Sequence, residues 1–215
     1  MKVLVTGSSK GIGFAIAKKF LDMGHEVIGF DLLDSTINHK NYKHYIVDIS
    51  KELPDISGIE ILINNAGCQT MSEKDIRVNL EGTIAVTEKY AFHKGIKSVL
   101  MIASSSGSTG AEFPHYAASK GGVLAYNKNV ALRLAKFNAT CNALSPGGVK
   151  TELNKHILED EKLWNAVLDE ALLHKWAEPE EIAEWAYFVT VINKSMTGED
   201  LLIDNGEKMN FNFIW

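Results

Sequence analysis

The stretch Thr6-Gly7-Ser8-Ser9-Lys10-Gly11-Ile12-Gly13 (residues 6–13) directly follows the apolar run at 2–6 and opens a segment with helical periodicity at 11–24. Glycines at such a junction permit positive φ angles and the close approach of a ligand to the backbone. The helix behind them offers unpaired N–H groups and a positive dipole end, which suit a pyrophosphate. The spacing is G-x-x-x-G-x-G rather than G-x-G-x-x-G. Since the loop lies at the first strand-to-helix junction, it favours dinucleotide binding over a turn without a ligand.

The rest of the chain repeats this alternation of short apolar runs and longer helical patterns. Several of the runs are almost entirely apolar, which is typical of strands buried on both faces. Further strands are predicted at 25–31, 44–48, 59–64, 98–104, 139–145 and 199–204, and helices include 75–94 and 116–137. The pattern predicts an α/β fold with a doubly wound parallel sheet of about seven strands and helices on both faces. No linker or repeat interrupts it, so residues 1–215 are expected to form a single domain.

Composition and charge narrow the classes of function. The formal net charge of −5 does not favour binding to nucleic acid or to an acidic membrane surface. The two cysteines, Cys68 and Cys141, are too few for a disulfide framework and fit a reducing compartment. No apolar stretch is long enough to span a bilayer, and the first apolar run is too short for a signal peptide. The seven histidines have no spacing typical of metal ligands. We therefore expect a cytoplasmic protein without a metal site.

Asp31 lies at the end of the second predicted strand, about 20 residues after the glycine loop, where a carboxylate can accept hydrogen bonds from ribose hydroxyls. A carboxylate there repels a 2′-phosphate, so the residue favours NAD over NADP. Leu32 and Leu33 supply no base to hold that phosphate. Lys10 argues the other way, because a cation in the glycine loop could reach a 2′-phosphate. NAD is the expected cofactor, and NADP stays open.

Tyr116 and Lys120 are four residues apart on a predicted helix and therefore share one of its faces. At a separation of about 4 Å and an effective dielectric near 20, an ammonium attracts a phenolate by about 4 kcal/mol. That attraction lowers the pKa of a phenol by roughly three units at most, before desolvation opposes it. The pair therefore indicates an acid–base catalyst, although either residue alone is more often part of an exposed helix face.

Several motifs occur together and in order: TGSSKGIG (6–13), NNAG (64–67), VNLEGT (78–83), the serines at 104–106, YAASK (116–120), SPGGVKT (145–151) and TGEDLLIDNG (197–206). The sequence carrying them resembles the short-chain dehydrogenase/reductase family along nearly its whole length. The resemblance implies a Rossmann-like sheet of seven strands, a nicotinamide cofactor and a Ser–Tyr–Lys–Asn catalytic set.

The resemblance assigns roles residue by residue. The catalytic residues would be Asn79, Ser104, Tyr116 and Lys120, with Ser105 as the alternative serine. Tyr116 would exchange the substrate proton, Lys120 would also hold the nicotinamide ribose, and Asn79 would support a proton-relaying water. The cofactor-binding residues would be Gly7, Ser9, Lys10, Gly11, Ile12, Gly13, Asp31, Asp48, Asn65, Ala66, Gly67, Tyr116, Lys120, Pro146, Gly147, Val149 and Thr151.

Two segments depart from the usual pattern of the family. The stretch between residues 48 and 63 is too short for a full crossover helix, so we expect a loop there. The stretch from 65 to 79 is also shorter than usual.

Residues 147–176 carry an apolar stripe, formed by Trp164, Val167, Leu168, Ala171 and Leu172, which is typical of a substrate flap or of packing.

The sequence thus predicts an oxidoreductase that transfers hydride between a nicotinamide cofactor and a small carbonyl or secondary alcohol. An NADP-linked 3-oxoacyl-type reductase and a non-catalytic dinucleotide-binding regulatory protein are the alternatives. By resemblance, a homodimer or homotetramer is expected.

Overall fold

The computed structural model describes residues 1–111 and 113–210. Its centre is a sheet of seven parallel strands in the order β3-β2-β1-β4-β5-β6-β7. The strands are β1 (Lys2–Thr6), β2 (Glu26–Asp31), β3 (Tyr42–Ile46), β4 (Ile61–Asn64), β5 (Ser98–Ile102), β6 (Thr140–Pro146) and β7 (Asp200–Ile203). The predicted Rossmann-like, doubly wound sheet is confirmed. The strand order reverses between β1 and β4, so a crevice opens there at the carboxyl ends of the strands.

Seven α-helices occur in the described part of the chain. They are α1 (Gly11–Asp22), α2 (Thr83–Tyr90), α3 (Ser106–Thr109), α4 (Pro114–Leu134), α5 (Lys155–Leu158), α6 (Glu161–Asp169) and α7 (Pro179–Tyr187). A π-helical segment, Ile76–Gly82, runs directly into α2. The helix predicted over 75–94 ends earlier, at Tyr90, because a turn follows in which the N–H of Gly95 donates to His93 Nδ1. None of the described helices is both long and apolar enough to cross a bilayer.

The sheet is buried on both faces because side chains alternate along each strand. Val3 and Val5 of β1 belong to a core formed with α1 and α7, whereas Leu4 between them belongs to a core formed with α2 and α4. In β4, Leu62 packs with Leu4 while its two neighbours pack in the other core. This two-sided burial explains why the strands are continuous apolar runs in the sequence.

The segment between β3 and β4, residues 47–60, contains no helix, as the sequence predicts. Leu53 and Ile59 are buried in the core on the α2 side and take the place of a helix there. Polar contacts fix the segment to α2: Tyr90 Oη donates to the carbonyl oxygen of Pro54 at 2.5 Å, and Lys89 Nζ donates to that of Leu53 at 2.6 Å. An irregular strap therefore closes this face of the sheet.

Candidate active site

A cavity of about 710 Å³ lies in the crevice at the carboxyl ends of the strands. Most of the site residues predicted from the sequence line it: Gly7, Lys10, Gly11, Ile12, Asp31, Asp48, Asn65, Ala66, Gly67, Ser104, Tyr116, Lys120, Pro146, Gly147, Val149 and Thr151. Three predicted residues, Ser9, Gly13 and Asn79, are not part of the lining. The fold thus brings together groups separated by more than a hundred residues of sequence.

The glycine loop is shaped by contacts that leave no room for side chains. Gly7 has a φ of 69°, which strains any other residue. A Cβ at Gly13 would overlap the carbonyl oxygen of Gly7 and the side-chain amide of Asn65. Asn65 Nδ2 in turn donates to the carbonyl oxygens of Thr6 and Gly7, at 3.0 and 3.1 Å. Gly13 and Asn65 therefore hold the loop in shape.

The start of α1 behind this loop has no side-chain cap. Its first-turn N–H groups have no acceptor within the helix, and the dipole favours a negative group there. Together with the backbone of Gly7 and Gly11, this donor set fits the pyrophosphate of a dinucleotide.

Asp31 connects the end of β2 to the glycine loop. Its Oδ2 accepts the N–H of Ser9 at 2.9 Å, and its Oδ1 accepts the N–H of Leu33 at 3.0 Å. The hydroxyl of Ser9 donates to the carbonyl oxygen of Leu33 at 3.1 Å. Ser9 is therefore tied to the β2 end, while the Asp31 carboxylate forms part of the cavity wall. Lys10, also in the wall, is exposed.

Val47, Ile49 and Val78 also line the cavity and make part of its wall apolar. Asp48 lies beside them, and its Oδ1 accepts the hydroxyl of Ser50 at 2.7 Å and the N–H of Ser50 at 3.0 Å. These hydrogen bonds from Ser50 hold the pKa of Asp48 below its usual range, with help from the nearby Lys51 ammonium.

Lys120 and Ser104 lie together at the end of β5. Lys120 is only 6% exposed, and its Nζ donates to the carbonyl oxygen of Ile102 at 2.9 Å. Burial lowers the pKa of Lys120 to about 8. The same Nζ is 5.6 Å from the ring centroid of Tyr116. The Ser104 hydroxyl oxygen accepts the N–H of Ser106 at 3.2 Å.

The alternative serine has a different environment. Ser105 does not line the cavity, and its N–H donates to the carbonyl oxygen of Pro146 at 2.9 Å. Its backbone therefore ties the end of β5 to the end of β6.

Asn79 lies below the cavity wall in the π-helical segment. Its Nδ2 donates to the carbonyl oxygen of Cys68 at 2.9 Å and to Ser119 Oγ at 3.1 Å, while its Oδ1 accepts the N–H of Cys68 at 2.7 Å. Ser119 Oγ donates onward to the carbonyl oxygen of Tyr116 at 2.7 Å. The Asn79 amide therefore links the loop after β4 to the helical turn that carries Tyr116.

Sequence reasoning missed two residues next to this link. Cys68 lines the cavity and Asp75 is fully buried beneath it. Burial raises the pKa of the Cys68 thiol to about 11, and the hydrogen bond from the thiol to Asp75 acts in the same direction. A lone thiol and a lone carboxylate have no recognisable spacing, so the sequence held no signal for either. Other lining residues outside the predicted set include Arg77, Lys74, Leu153 and Asn154.

The segment beyond β6 covers one side of the cavity but packs loosely. No residue from Glu152 to Glu170 is buried. Hydrogen bonds join the two ends of this segment: Lys150 N–H donates to the carbonyl oxygen of Ala177, and Ala177 N–H donates to that of Gly148, each at 3.0 Å. Helix α6 ends at Asp169, so the predicted apolar stripe is divided: Trp164, Val167 and Leu168 lie on the helix, whereas Ala171 and Leu172 follow it.

Comparison with known proteins shows which family this chain is similar to. A family model described as enoyl-(acyl carrier protein) reductase matches residues 38–208. The 3-oxoacyl-acyl-carrier-protein reductase FabG of Aquifex aeolicus is 30% identical over 239 residues, which cover 94% of this chain and 95% of the relative. The chain belongs to the short-chain dehydrogenase/reductase family. The resemblance drawn from the motifs is thereby confirmed, and the protein is an NAD(P)-dependent oxidoreductase.

Solved structures of this family superpose closely. A 4-hydroxyisoleucine dehydrogenase mutant complexed with NADH and succinate has a TM-score of 0.88 at 25% identity, covering 99% of this chain and 100% of that one. A structure assigned to a 2-deoxy-D-gluconate 3-dehydrogenase from Agrobacterium tumefaciens, with bound NADP, has a TM-score of 0.87 at 26% identity, covering 97% and 96%. Both structures share the fold of this chain over nearly its whole length.

Proposed function

We propose that this short-chain dehydrogenase/reductase interconverts a carbonyl and a secondary alcohol, with Tyr116 as the general acid and base. The observation that supports the proposal is that Ser104, Tyr116 and Lys120 line the same cavity as the glycine loop. When bound, the nicotinamide supplies or accepts the hydride. The chain's own task is then to orient the substrate and to move one proton.

The proposed division of labour follows from the contacts. With a pKa of about 8, Lys120 is mostly an ammonium at neutral pH, and its positive charge close to the Tyr116 ring favours the phenolate. In reduction Tyr116 Oη donates its proton to the carbonyl oxygen, and in oxidation it accepts the proton of the alcohol. The Ser104 hydroxyl holds the same substrate oxygen. Asn79 acts through its hold on Cys68 and Ser119 and through the water that it supports by family resemblance.

The cavity wall supports NAD as the preferred cofactor. Asp31 is a carboxylate that faces the cavity next to the glycine loop, so it repels the additional phosphate of NADP. Lys10 is exposed and therefore attracts that phosphate only weakly across water.

We propose that residues 147–176 form a flap over the substrate, and that the protein is cytoplasmic and forms a homodimer or homotetramer. The similarity to 3-oxoacyl reductases makes such thioesters part of the first substrate screen.

Replacement of Tyr116 by Phe tests the catalytic proposal. Tyr116→Phe removes only the hydroxyl, so turnover should fall by roughly 10²- to 10⁴-fold, the usual contribution of a general acid. Its NADH affinity, measured by fluorescence titration, should stay close to that of the wild type. Tyr126→Phe is the matched control, because Tyr126 is on the same helix but donates to Glu88 at 2.8 Å on the surface. If Tyr116→Phe keeps the wild-type rate, the proposed mechanism is wrong.

The same titration, carried out with NADH and with NADPH, tests the cofactor assignment. NADH should bind more tightly, and Asp31→Asn should narrow the gap between the two cofactors. Lys10→Gln is the companion variant and should leave NADH affinity almost unchanged. Tighter binding of NADPH to the wild type would mean that Lys10 outweighs Asp31.

A further inference from the structure

The loop between β4 and the π-helical segment forms a wall of the cavity, and its apolar contact with the core is made by the small side chain of Ala66. Residues 65–74 are all exposed or only half-buried. Asp75, the next residue, has no exposed surface at all. The shortened segment therefore has a carboxylate, rather than an apolar side chain, as its first buried group after Asn64.

Asp75 holds this loop from inside. Its Oδ1 accepts the N–H of Thr70 at 2.8 Å, the hydroxyl of Thr70 at 2.7 Å and the thiol of Cys68 at 3.5 Å. Its Oδ2 is buried and has no hydrogen-bond partner. A buried carboxylate without a paired cation is costly, so this arrangement persists only where the hydrogen bonds compensate for it.

The carboxylate is ionised despite its burial. Burial by itself raises the pKa of Asp75, but the hydrogen bonds from Thr70 and Cys68 outweigh it and hold that pKa below its usual range. Hydrogen bonds to an ionised acceptor are roughly twice as strong as neutral ones. The charge on Asp75 therefore strengthens the hydrogen bonds by which Thr70 and Cys68 hold the loop.

Cys68 is held from both sides. Its thiol donates to Asp75, while its backbone N–H and carbonyl oxygen bind the side chain of Asn79. The same Asn79 amide continues to Ser119, whose hydroxyl donates to the carbonyl oxygen of Tyr116. An unbroken series of hydrogen bonds thus runs from the buried carboxylate to the helical turn that carries the proposed acid–base residue.

Gly67, which precedes Cys68, brings the loop against the same groups. A Cβ at Gly67 would lie 3.1 Å from Asn79 Oδ1 and 3.7 Å from Lys120 Nζ. A shift of the loop would therefore move the Gly67 backbone relative to both Asn79 and Lys120.

We propose that Asp75 is a positioning residue, which holds the Gly67–Cys68 backbone and, through Asn79, the Tyr116–Lys120 pair in the geometry that proton transfer requires. The proposal rests on the proposed function of Tyr116. Asp75 itself does not line the cavity, and it contacts the lining through the thiol of Cys68.

Asp75→Asn keeps the shape of the side chain but removes the charge. It should lower kcat about 10- to 100-fold, because small displacements of reacting groups are costly. The KM for the cofactor should change little, because Asp75 does not line the cavity. The apparent pKa of the kcat profile should move upward, since a looser Tyr116–Lys120 pair stabilises the phenolate less. Glu73→Gln, an exposed carboxylate of the same loop, is the control and should leave all three quantities unchanged.

Three further variants keep the test decisive. If Asp75→Asn does not fold, Thr70→Val removes one donor to Asp75 from the protein's surface side and should reproduce the change in kcat to a smaller degree. Cys68→Ser keeps a donor and should retain more kcat than Cys68→Ala. A merely structural role would lower the melting temperature while kcat and its pH profile stay those of the wild type, and that result overturns the proposal. Tyr116→Phe, measured alongside, separates this failure from a failure of the proposed function, because only the latter leaves Tyr116→Phe active.

Discussion

Lys120→Met should change how the stability of the protein depends on pH. Burial lowers the pKa of Lys120 from 10.5 to about 8 in the folded protein. Below about pH 8 the amine is protonated in both the folded and the unfolded state, so the folded state bears the full cost of a buried ammonium. The difference of about 2.5 pKa units corresponds to about 3 kcal/mol.

The sign of the pH dependence follows from proton binding. Between pH 8 and pH 10.5 the unfolded chain binds more protons at this lysine than the folded protein does. Stability therefore rises with pH over this range. From about pH 7 to about pH 10, the free energy of unfolding of the wild type should rise by about 2–3 kcal/mol relative to that of Lys120→Met. Lys120→Met also loses the hydrogen bond to the carbonyl oxygen of Ile102, which lowers its free energy of unfolding by about 1 kcal/mol at every pH.

Urea unfolding, followed by circular dichroism without cofactor, measures this difference at a series of pH values. Lys128→Met, on the exposed side of the same helix, is the control, and its unfolding free energy should run parallel to that of the wild type. A wild-type minus Lys120→Met difference that stays flat across the range would mean that the ammonium is not desolvated. A difference that falls with pH would show that the sign of the argument is wrong.

Two further predictions concern the loop and the thiols. Gly13→Ala should destabilise the protein by about 1–3 kcal/mol and weaken NADH binding, because the new Cβ overlaps the Gly7 carbonyl oxygen. Thermal unfolding measures the first effect and fluorescence titration the second. Unchanged values of both would refute the overlap. With its pKa raised to about 11, Cys68 should react with a thiol reagent near pH 8 on the order of 10²- to 10³-fold more slowly than a free cysteine, and rapid labelling of the native protein would contradict that environment.

The fold was largely predictable because its signals are local. Strands buried on both faces must be apolar along their length. The segment from 47 to 60 is too short for a crossover helix, and Leu53 and Ile59 cover the sheet there instead. Tyr116 and Lys120 share a face because of helical geometry alone. The limits of the prediction were also local: α2 ends early at a turn, and α6 ends at Asp169 before the apolar stripe does.

The functional environment of several predicted residues was not predictable in the same way. Ser9 and Gly13 shape the glycine loop without lining the cavity. The side-chain amide of Asn79 donates hydrogen bonds to Cys68 and Ser119. Asp75 had no signal in the sequence, since a single aspartate at the start of a helix is ordinary on a protein surface. Its full burial depends on how the loop after β4 folds back.

The elements, the parallel sheet, the glycine loop and the pairing of Tyr116 with Lys120 can be predicted from the sequence, because periodicity and turn chemistry act over a few residues. Other contacts depend on the folded chain: Lys120 donates to Ile102, Asp31 binds the amide of Ser9, and Cys68 is held between Asp75 and Asn79. These contacts join residues far apart in the chain or across a turn, and burial sets their strength. Burial is a property of the packed molecule, so the lowered pKa values of Lys120 and Asp75 follow from the fold and not from the residues' identities.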